Sequence, residues 1–549
     1  DCHGLPVENE MEKELKLNNK REIENYGIDN FNEACRSIVL RYTNEWEKIV
    51  GRMGRWVDFR NGYRTMDINY MESIWWVFKQ LWDKELIYEG YKILPYCPRC
   101  ATPLSNFEAN QGYMEVTDPA ITIRFQSSND PHTYFVAWTT TPWTLPSNLA
   151  LAVGPEIDYV KVKDGDDFYI MAKSRLGSYY KEQPEIVAEF KGKELEHQRY
   201  VPLFDYFKDL AKDGAFQVLL ADYVSTEDGT GIVHTAPGFG EDDNATCKRY
   251  QLPEVCPVDE QCCFTADVPD YKGIYVKDAD KTIIQRLKDE GKLVHRGTIK
   301  HNYPHCWRDD VPLIYRAIST WFVRIDKVKQ QMIDANKNIN WTPNHIKEGR
   351  FGRWLENARD WAISRNRYWG TPLPIWRNEE GEMICVGSVA ELEKLTGSKI
   401  TDLHKHYVDK LTIPSPTGKS PLKRVAEVLD CWFESGSMPY AQQHYPFENK
   451  EHFEATFPAD FIAEGLDQTR GWFYTLVVLG AALFNRNPFQ NVVVNGLILA
   501  EDGQKMSKRK KNYPDPMLIV DTYGADALRL FLLSSQVVRA EDLKFSENG

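Results

Sequence analysis

Apolar and polar residues change their spacing several times along the chain, and each change predicts a different kind of element. Residues 8–88 place aromatic and aliphatic side chains three or four positions apart among good helix formers, as in Asn30–Met53, which predicts helices. Two prolines and a Cys-x-x-Cys interrupt that spacing between Tyr91 and Cys100. From Thr117 to Val294 the texture becomes short β-rich runs, among them Ala120–Phe125, Tyr134–Trp138, Val160–Val162, Phe216–Leu220 and Ile232–His234, punctuated by Gly, Asp and Pro. Helical, Trp-rich sequence is expected again over Tyr315–Trp361. Val425–Leu533 then alternates, with Phe461–Ile462 and Val492–Leu499 as buried strands around a helix over Gln468–Phe484. A parallel sheet with helices on both faces follows from that section. A β-rich block between two such stretches predicts an insertion into one α/β fold. The chain closes on a helix-like segment, Ala525–Ser535.

Composition narrows the class. The 549 residues are 42% hydrophobic and 27% charged, which is globular and excludes wholesale disorder. A net charge of −13 excludes a globally basic nucleic-acid coat protein but not a local basic patch. The longest apolar stretch, Phe473–Phe484, is far short of the roughly 20 residues that cross a bilayer. No signal-peptide pattern is present, and the eleven cysteines are odd in number and scattered; both predict reduced thiols in a cytoplasmic protein. The first residue is Asp1, so a processed, cut or partial sequence is expected.

Four clusters carry candidate chemistry. After an apolar strand, the turn pair Asp502-Gly503 leads into Lys505-Met506-Ser507-Lys508-Arg509, a loop of cations at the C-terminal edge of the sheet. Nucleotides bind at that edge, and lysines there can meet developing pyrophosphate charge; a bare lysine cluster is otherwise a solvated turn. Glu464-Gly465-Leu466-Asp467-Gln468 sits at a strand exit, where carboxylates suit ribose hydroxyls, and Asp467 reads as a helix N-cap. Thr139, Thr140, Thr141 and Thr144 follow a strand, and His234 precedes an acidic run ending at Asp243; a strand edge and a turn-rich loop are the bland alternatives. Cys97 and Cys100 have the spacing of half a zinc knuckle, and Cys306 with Asp309 could form the other half. Zinc on a Cys3Asp or Cys3His set and a metal-free knuckle both fit that spacing, while Cys262-Cys263 reads as structural.

The run Lys-Met-Ser-Lys resembles the signature of class I aminoacyl-tRNA synthetases, with Arg509 in place of the final serine. Asp1-Cys2-His3-Gly4-Leu5-Pro6, Asp360-Trp361-Ala362-Ile363-Ser364-Arg365-Asn366-Arg367-Tyr368-Trp369-Gly370, Asp430-Cys431-Trp432-Phe433-Glu434-Ser435-Gly436 and Glu464–Phe473 resemble blocks of the isoleucine-specific branch, more its eukaryotic cytosolic form than its bacterial one. Valyl and leucyl relatives differ at the last two blocks. The resemblance covers essentially the whole chain in order.

It implies a Rossmann-type parallel-sheet catalytic domain interrupted by a β-rich editing domain. The implied division is 1–95 for the first catalytic part, 96–116 for the knuckle half, 117–297 for the editing domain and 298–424 for the connective return. The second Rossmann half would be 425–500, and 501–549 the Lys-Met-Ser-Lys loop with the first stem-contact helices. The implied activity is activation of L-isoleucine with ATP and Mg2+, transfer to tRNA(Ile), and hydrolysis of mischarged Val-tRNA(Ile). Lys505, Ser507 and Lys508 would be catalytic. Glu464, Gly465, Asp467, Gln468 and Met506 would bind the adenylate. Asp1 and Gln468 would hold the ammonium, and Trp432 and Trp472 would wall the side-chain pocket. Asp243 would anchor the amine in the editing site, with His234, Thr139, Thr140, Thr141 and Thr144 around it.

The resemblance also implies a His-x-Gly-His element upstream of Asp1 and an anticodon-binding domain beyond residue 549. Two other readings stand beside it: a valyl relative, and a tRNA-binding or deacylating module without activation. Two sites have a physical rationale. One methylene is worth only about 1–3 kcal/mol in an apolar pocket, a limit for which isoleucine-accepting synthetases are themselves the standard illustration.

Overall fold

The computed structural model describes residues 1–504, 506 and 512–546, with 42–45 described by backbone alone. The first part is helical, as the spacing predicts: Leu5–Leu15, Lys20–Tyr26, Ile28–Arg52 and Ile68–Asp83. Helix Ile68–Asp83 turns Tyr70, Ile74, Val77, Phe78 and Leu81 into the main core and Met71 and Trp75 into a second cluster with Trp376 and Leu392. Each large side chain so buried contributes about 1.5–3 kcal/mol.

Strand Ile87–Cys97 follows and pairs antiparallel with Ile314–Val323. Here the structure departs from the expected helix over Tyr315–Trp361. Its first nine residues are strand, and helix begins only at Ile325–Lys337. The β-branched and aromatic residues Ile318, Thr320, Trp321, Phe322 and Val323 find a long partner strand, and tertiary pairing overrides their local spacing.

The β-rich insertion hangs from a two-stranded antiparallel ribbon, Tyr113–Gln126 against Leu293–Pro304, with Tyr113 opposite Pro304 at its base. The first ribbon strand continues into a nine-stranded mixed sheet that includes Thr133–Thr139, Ala150–Val153, Asp158–Asp164, Asp167–Ala172, Gln217–Leu220 and Ile232–Thr235. The five β-rich runs named from sequence fall on these strands, except that Phe216, at φ +64°, precedes the strand Gln217–Leu220. The insertion has its own core, including Ile121, Phe125, Phe135, Trp143, Leu151, Tyr159, Val218 and Ile283.

The chain returns to a parallel three-stranded sheet in which Phe489–Asn495 lies between Asn340–Thr342 and Ala459–Gly465. Helix Trp472–Phe484, buried nearly all round, connects the two longer strands as a crossover. The predicted strand Val492–Leu499 is divided: it stops at Asn495, Gly496 N–H donates to Val537 O at 2.7 Å, and Ile498–Leu499 pairs with Leu543–Lys544. The closing segment forms a helix over Ala525–Ser534. Among the described residues no helix is long and apolar enough to cross a membrane. All eleven cysteines are free.

Two arginines tie the block Ser364–Gly370 to the first helix and to Glu108 and Asp430. Arg367, fully buried, is paired with Glu8 and Glu12, and its guanidinium also donates to Cys100 O at 3.0 Å. Arg365 is paired with Glu108 and, at 2.9 Å, with Asp430. Such pairs are strongly constraining because a buried charge without its partner is costly.

Candidate functional site

Segments far apart in sequence converge on one open cleft of about 330 Å3, lined by Asp1, Tyr63, Tyr70, Trp432, Ser435, Met438, Glu464, Gln468 and Trp472. That size suits a small-molecule ligand. Asp430 caps helix Cys431–Gly436 by accepting from Trp432 N–H at 3.1 Å, which fixes where Trp432 and Ser435 are presented. Trp472 Nε1–H donates to Ser435 O at 2.9 Å, tying the two tryptophan-bearing elements together. Glu464 and Gln468 come from the carboxyl end of a parallel strand, the edge where α/β sheets bind ligands. Burial and then the nearby Asp467 raise the Glu464 carboxyl above its usual range, against an opposing pull from Arg55.

Asp467 does not cap a helix as its sequence position suggested. It lies inside a 3-10 turn, Leu466–Arg470, and the long helix starts at Trp472, where Gln468 Oε1 accepts from Trp472 N–H at 2.9 Å. That contact fixes the amide's orientation and leaves a second lone pair on Gln468 Oε1. Gly471 makes the approach: a Cβ there would stand 2.7 Å from Gln468 Oε1 and 3.1 Å from the Trp432 ring. Gly465 is half-buried at the strand exit. Met506 is described and half-buried, whereas Lys505, Ser507 and Lys508 lie outside the described residues.

The second cluster is in the insertion. Thr139 ends a strand, Thr140 and Thr141 are half-buried, and Thr144 lies in a 3-10 turn, Pro142–Ser147. The hydroxyls of Thr139, Thr141 and Thr144 form a row without Thr140: Thr139 Oγ1 to Thr141 Oγ1 at 3.3 Å, then Thr141 Oγ1 to Thr144 Oγ1 at 3.2 Å. The row ends on His234, whose Nε2 is 2.8 Å from Thr144 Oγ1. Asn148 Nδ2 donates both to Ala150 O at 2.8 Å and to His234 Nδ1 at 2.9 Å. Since Thr144 Oγ1 donates its own proton to Thr141 O at 2.8 Å, the histidine is the Nε2–H tautomer with Nδ1 accepting. Burial pushes its pKa down to about 3, in keeping with a neutral ring. With both nitrogens engaged, His234 holds the threonine row in place rather than serving as a free base.

Asp243 sits in the first turn of helix Glu241–Arg249. Its carboxylate accepts from Ala236 N–H at 2.8 Å and from Tyr223 OH at 3.1 Å. Burial dominates these bonds and pushes its pKa up to about 6.

The third cluster brings Cys97, Cys100, Cys306 and Asp309 together, with one donor atom from each within 4.8 Å of the others. Asp309 Oδ2 lies 3.4 Å from Cys97 Sγ and 3.2 Å from Cys100 Sγ. Tetrahedral zinc with bonds near 2.0–2.3 Å sets its donors roughly 3.3–3.8 Å apart, so the donor types and the two Asp309–thiol distances fit that ion. Cys100 N–H donates to Cys97 Sγ at 3.3 Å, which further orders the first pair. Cys262 and Cys263 lie apart from this group.

Several residues in these sites carry no signal in the linear sequence. Tyr63, Tyr70 and Met438 reach the cleft, and Asn148, Tyr200 and Tyr223 support the threonine and aspartate groups. None belongs to a motif; only helix geometry and strand pairing bring them in.

Residues 1–544 match the family described as tRNA synthetases class I (I, L, M and V), and the chain belongs to that family. Among its relatives, isoleucine–tRNA ligases of Treponema denticola and Protochlamydia amoebophila are each 60% identical over all of this chain, which covers 53% of either relative. The cytoplasmic isoleucine–tRNA ligase of Mus musculus is 57% identical, and this chain covers 44% of it. Bacterial and eukaryotic cytoplasmic relatives thus match to nearly the same degree. The chain spans about half the length of these relatives.

The raised Asp243 has a consequence for stability. Its pKa goes from 3.8 to about 6 on folding, so the folded state binds the proton more tightly. That contribution is complete below pH 4 and is lost as the pH rises through 6. Asp243→Asn is therefore expected to stabilise the protein by about 1–3 kcal/mol at pH 8 and hardly at all at pH 4, as read by urea unfolding at both values.

Proposed function

We propose that this chain carries the activating and editing machinery of an isoleucine–tRNA ligase, working on L-isoleucine, ATP with Mg2+ and tRNA(Ile) in the cytoplasm. The observation that carries this reading is the convergence of Asp1, Trp432, Glu464, Gln468 and Trp472 on one cleft. In it, Asp1 and the free lone pair of Gln468 hold the ammonium of isoleucine, and Trp432 and Trp472 enclose its branched side chain. Glu464, Gly465, Asp467 and Met506 receive the adenosine. The isoleucine carboxylate attacks the α-phosphate of ATP and pyrophosphate leaves, while Lys505, Ser507 and Lys508 meet the charge that builds on the phosphoryl oxygens. The aminoacyl group then passes to the terminal ribose of tRNA.

The block 117–297 supplies the second sieve. An ammonium placed against Asp243 offsets the desolvation that raises its pKa, so the site rewards the free amine of an aminoacyl ester. The threonine row, held by neutral His234, lines the approach with hydroxyls that orient the terminal adenosine and an attacking water. Water adds to the ester carbonyl and the ribose oxygen leaves, so no protein nucleophile is required. The Cys97, Cys100, Cys306 and Asp309 group would hold one Zn2+ in a structural role, fastening the base of the ribbon.

ATP–pyrophosphate exchange by the intact protein is expected to respond to isoleucine far more than to valine. Exchange absent with either amino acid, alongside retained deacylation, would instead indicate a deacylating module; preference for valine would indicate a valyl enzyme. Hydrolysis of Val-tRNA(Ile) is expected to fall at least a hundredfold in Asp243→Ala, and an unchanged rate removes Asp243 from the amine-binding role. Elemental analysis is expected to find about one zinc per chain, reduced in Cys306→Ser; a metal-free wild type identifies a vestigial knuckle.

A further inference from the structure

Behind the cleft, four titratable side chains and an arginine form one continuous line. His3 Nδ1 lies 2.7 Å from Glu434 Oε2, His3 Nε2 lies 2.9 Å from His404 Nε2, and His404 Nδ1 lies 2.5 Å from Asp402 Oδ1. Arg36 closes the line: its Nη2 donates to Asp402 Oδ2 at 2.7 Å and lies 3.2 Å from His404 Nδ1, and its Nε lies 3.3 Å from Glu33 Oε2. His3, Glu434 and His404 are only 2%, 1% and 0% exposed. Trp369 stacks on His404 at 4.6 Å and meets His3 edge-on at 4.9 Å, sealing the line from water.

The proton count follows from the atoms. Each of the three contacts joins two atoms with lone pairs and needs one proton between them. Two neutral imidazoles supply two. The third contact therefore requires an extra proton, shared between His3 and Glu434. An imidazole is ordinarily the stronger base of the two, and Glu434 Oε1 is already satisfied as a carboxylate by Thr371 N–H at 2.8 Å, so the proton belongs on His3. Burial, the largest influence on His404, lowers its pKa to about 4 and keeps that second ring neutral. One imidazolium then faces the buried Glu434, while Arg36 faces Asp402 and, at 3.3 Å, Glu33 at the part-buried end of the line.

This line ends on the elements that build the cleft. His3 is two residues from Asp1, and the intervening Cys2 is held by Thr65 Oγ1 at 2.9 Å and by Trp369 Nε1 at 2.7 Å. Gly4 has φ +94°, and a Cβ on it would come 3.0 Å from Cys431 Cβ, so this glycine lets the segment close onto the helix of Glu434. That helix presents Trp432 and Ser435, and Tyr70 OH donates to Glu434 O at 2.8 Å.

We propose that His3 is a positioning residue, held as a buried imidazolium by Glu434, that fixes Asp1 against the Trp432 helix and so sets affinity for the amino acid; this rests on the reading of the cleft as the amino-acid site. The Glu434→Gln variant distinguishes the proton from the mere contact. Its amide can donate to a neutral His3 Nδ1, so all three contacts survive with two neutral rings.

The test is the nitrogen NMR spectrum of 15N-histidine-labelled intact protein at pH 7.5, with the His3 signals assigned by their loss in His3→Leu. One imidazolium in the wild type, absent in Glu434→Gln, is expected. Two neutral rings in the wild type, or an imidazolium that survives Glu434→Gln, overturns the proposal. In isoleucine-dependent exchange, His3→Leu should raise the KM for isoleucine at least tenfold and leave that for ATP within twofold, with a smaller rise in Glu434→Gln. Equal rises in both KM values overturn the positioning role. A wild type without isoleucine-dependent exchange overturns the reading of the cleft instead, and leaves the proton count to the spectrum alone.

Discussion

Two guanidinium groups only two residues apart, on Arg365 and Arg367, hold distant segments of the chain together. Arg367 reaches the first helix through Glu8 and Glu12, and Arg365 reaches Glu108 and Asp430. Glu8 in turn accepts from the backbone of Tyr368 and Trp369 at 2.9 and 2.6 Å. Segments more than 350 residues apart are thus held in one register by charge as well as by apolar area. The geometry of the cleft depends on that register. Asp430 both pairs with Arg365 and caps the helix that presents Trp432, so one carboxylate passes the position of the arginine on to the pocket wall.

The insertion uses a different material for the same purpose. Its threonine row is fixed by neutral hydrogen bonds that end on a histidine, and His234 is fixed by Asn148, itself held by Tyr200 OH at 2.7 Å. A fully satisfied polar network specifies one arrangement without burying net charge. Asp243 keeps an unspent electrostatic demand, since burial outweighs its two hydrogen bonds, which is the property a cation-binding group needs.

The sequence makes the strands of the insertion, the early helices and the parallel sheet legible, because each rests on local periodicity. The strand over Ile314–Val323 was not legible, since its Trp and Phe residues fit either periodicity until a partner strand chose one. Among site residues, the motif-borne ones could be named from the chain alone, and the structure places Asp1, Trp432, Glu464, Gln468 and Trp472 side by side. Tyr63, Tyr70 and Asn148 could not be named, because nothing in their neighbours along the chain says what lies opposite them in space. His3 shows a related limit. It was visible within a motif, but its role comes from Glu434 and His404, some four hundred residues away.

The ribbon that carries the insertion also bears on modularity. Tyr113 and Pro304 face each other across its base, His305 N–H donates to Gly112 O at 2.8 Å, and the cysteine–aspartate cluster stands just below. Departure and return of the chain are therefore neighbours, and the ground between them is stitched independently of what lies beyond. Such a stem behaves like a graft union: the outgrowth can be exchanged, enlarged or pruned to a tight turn while the stock beneath keeps its shape.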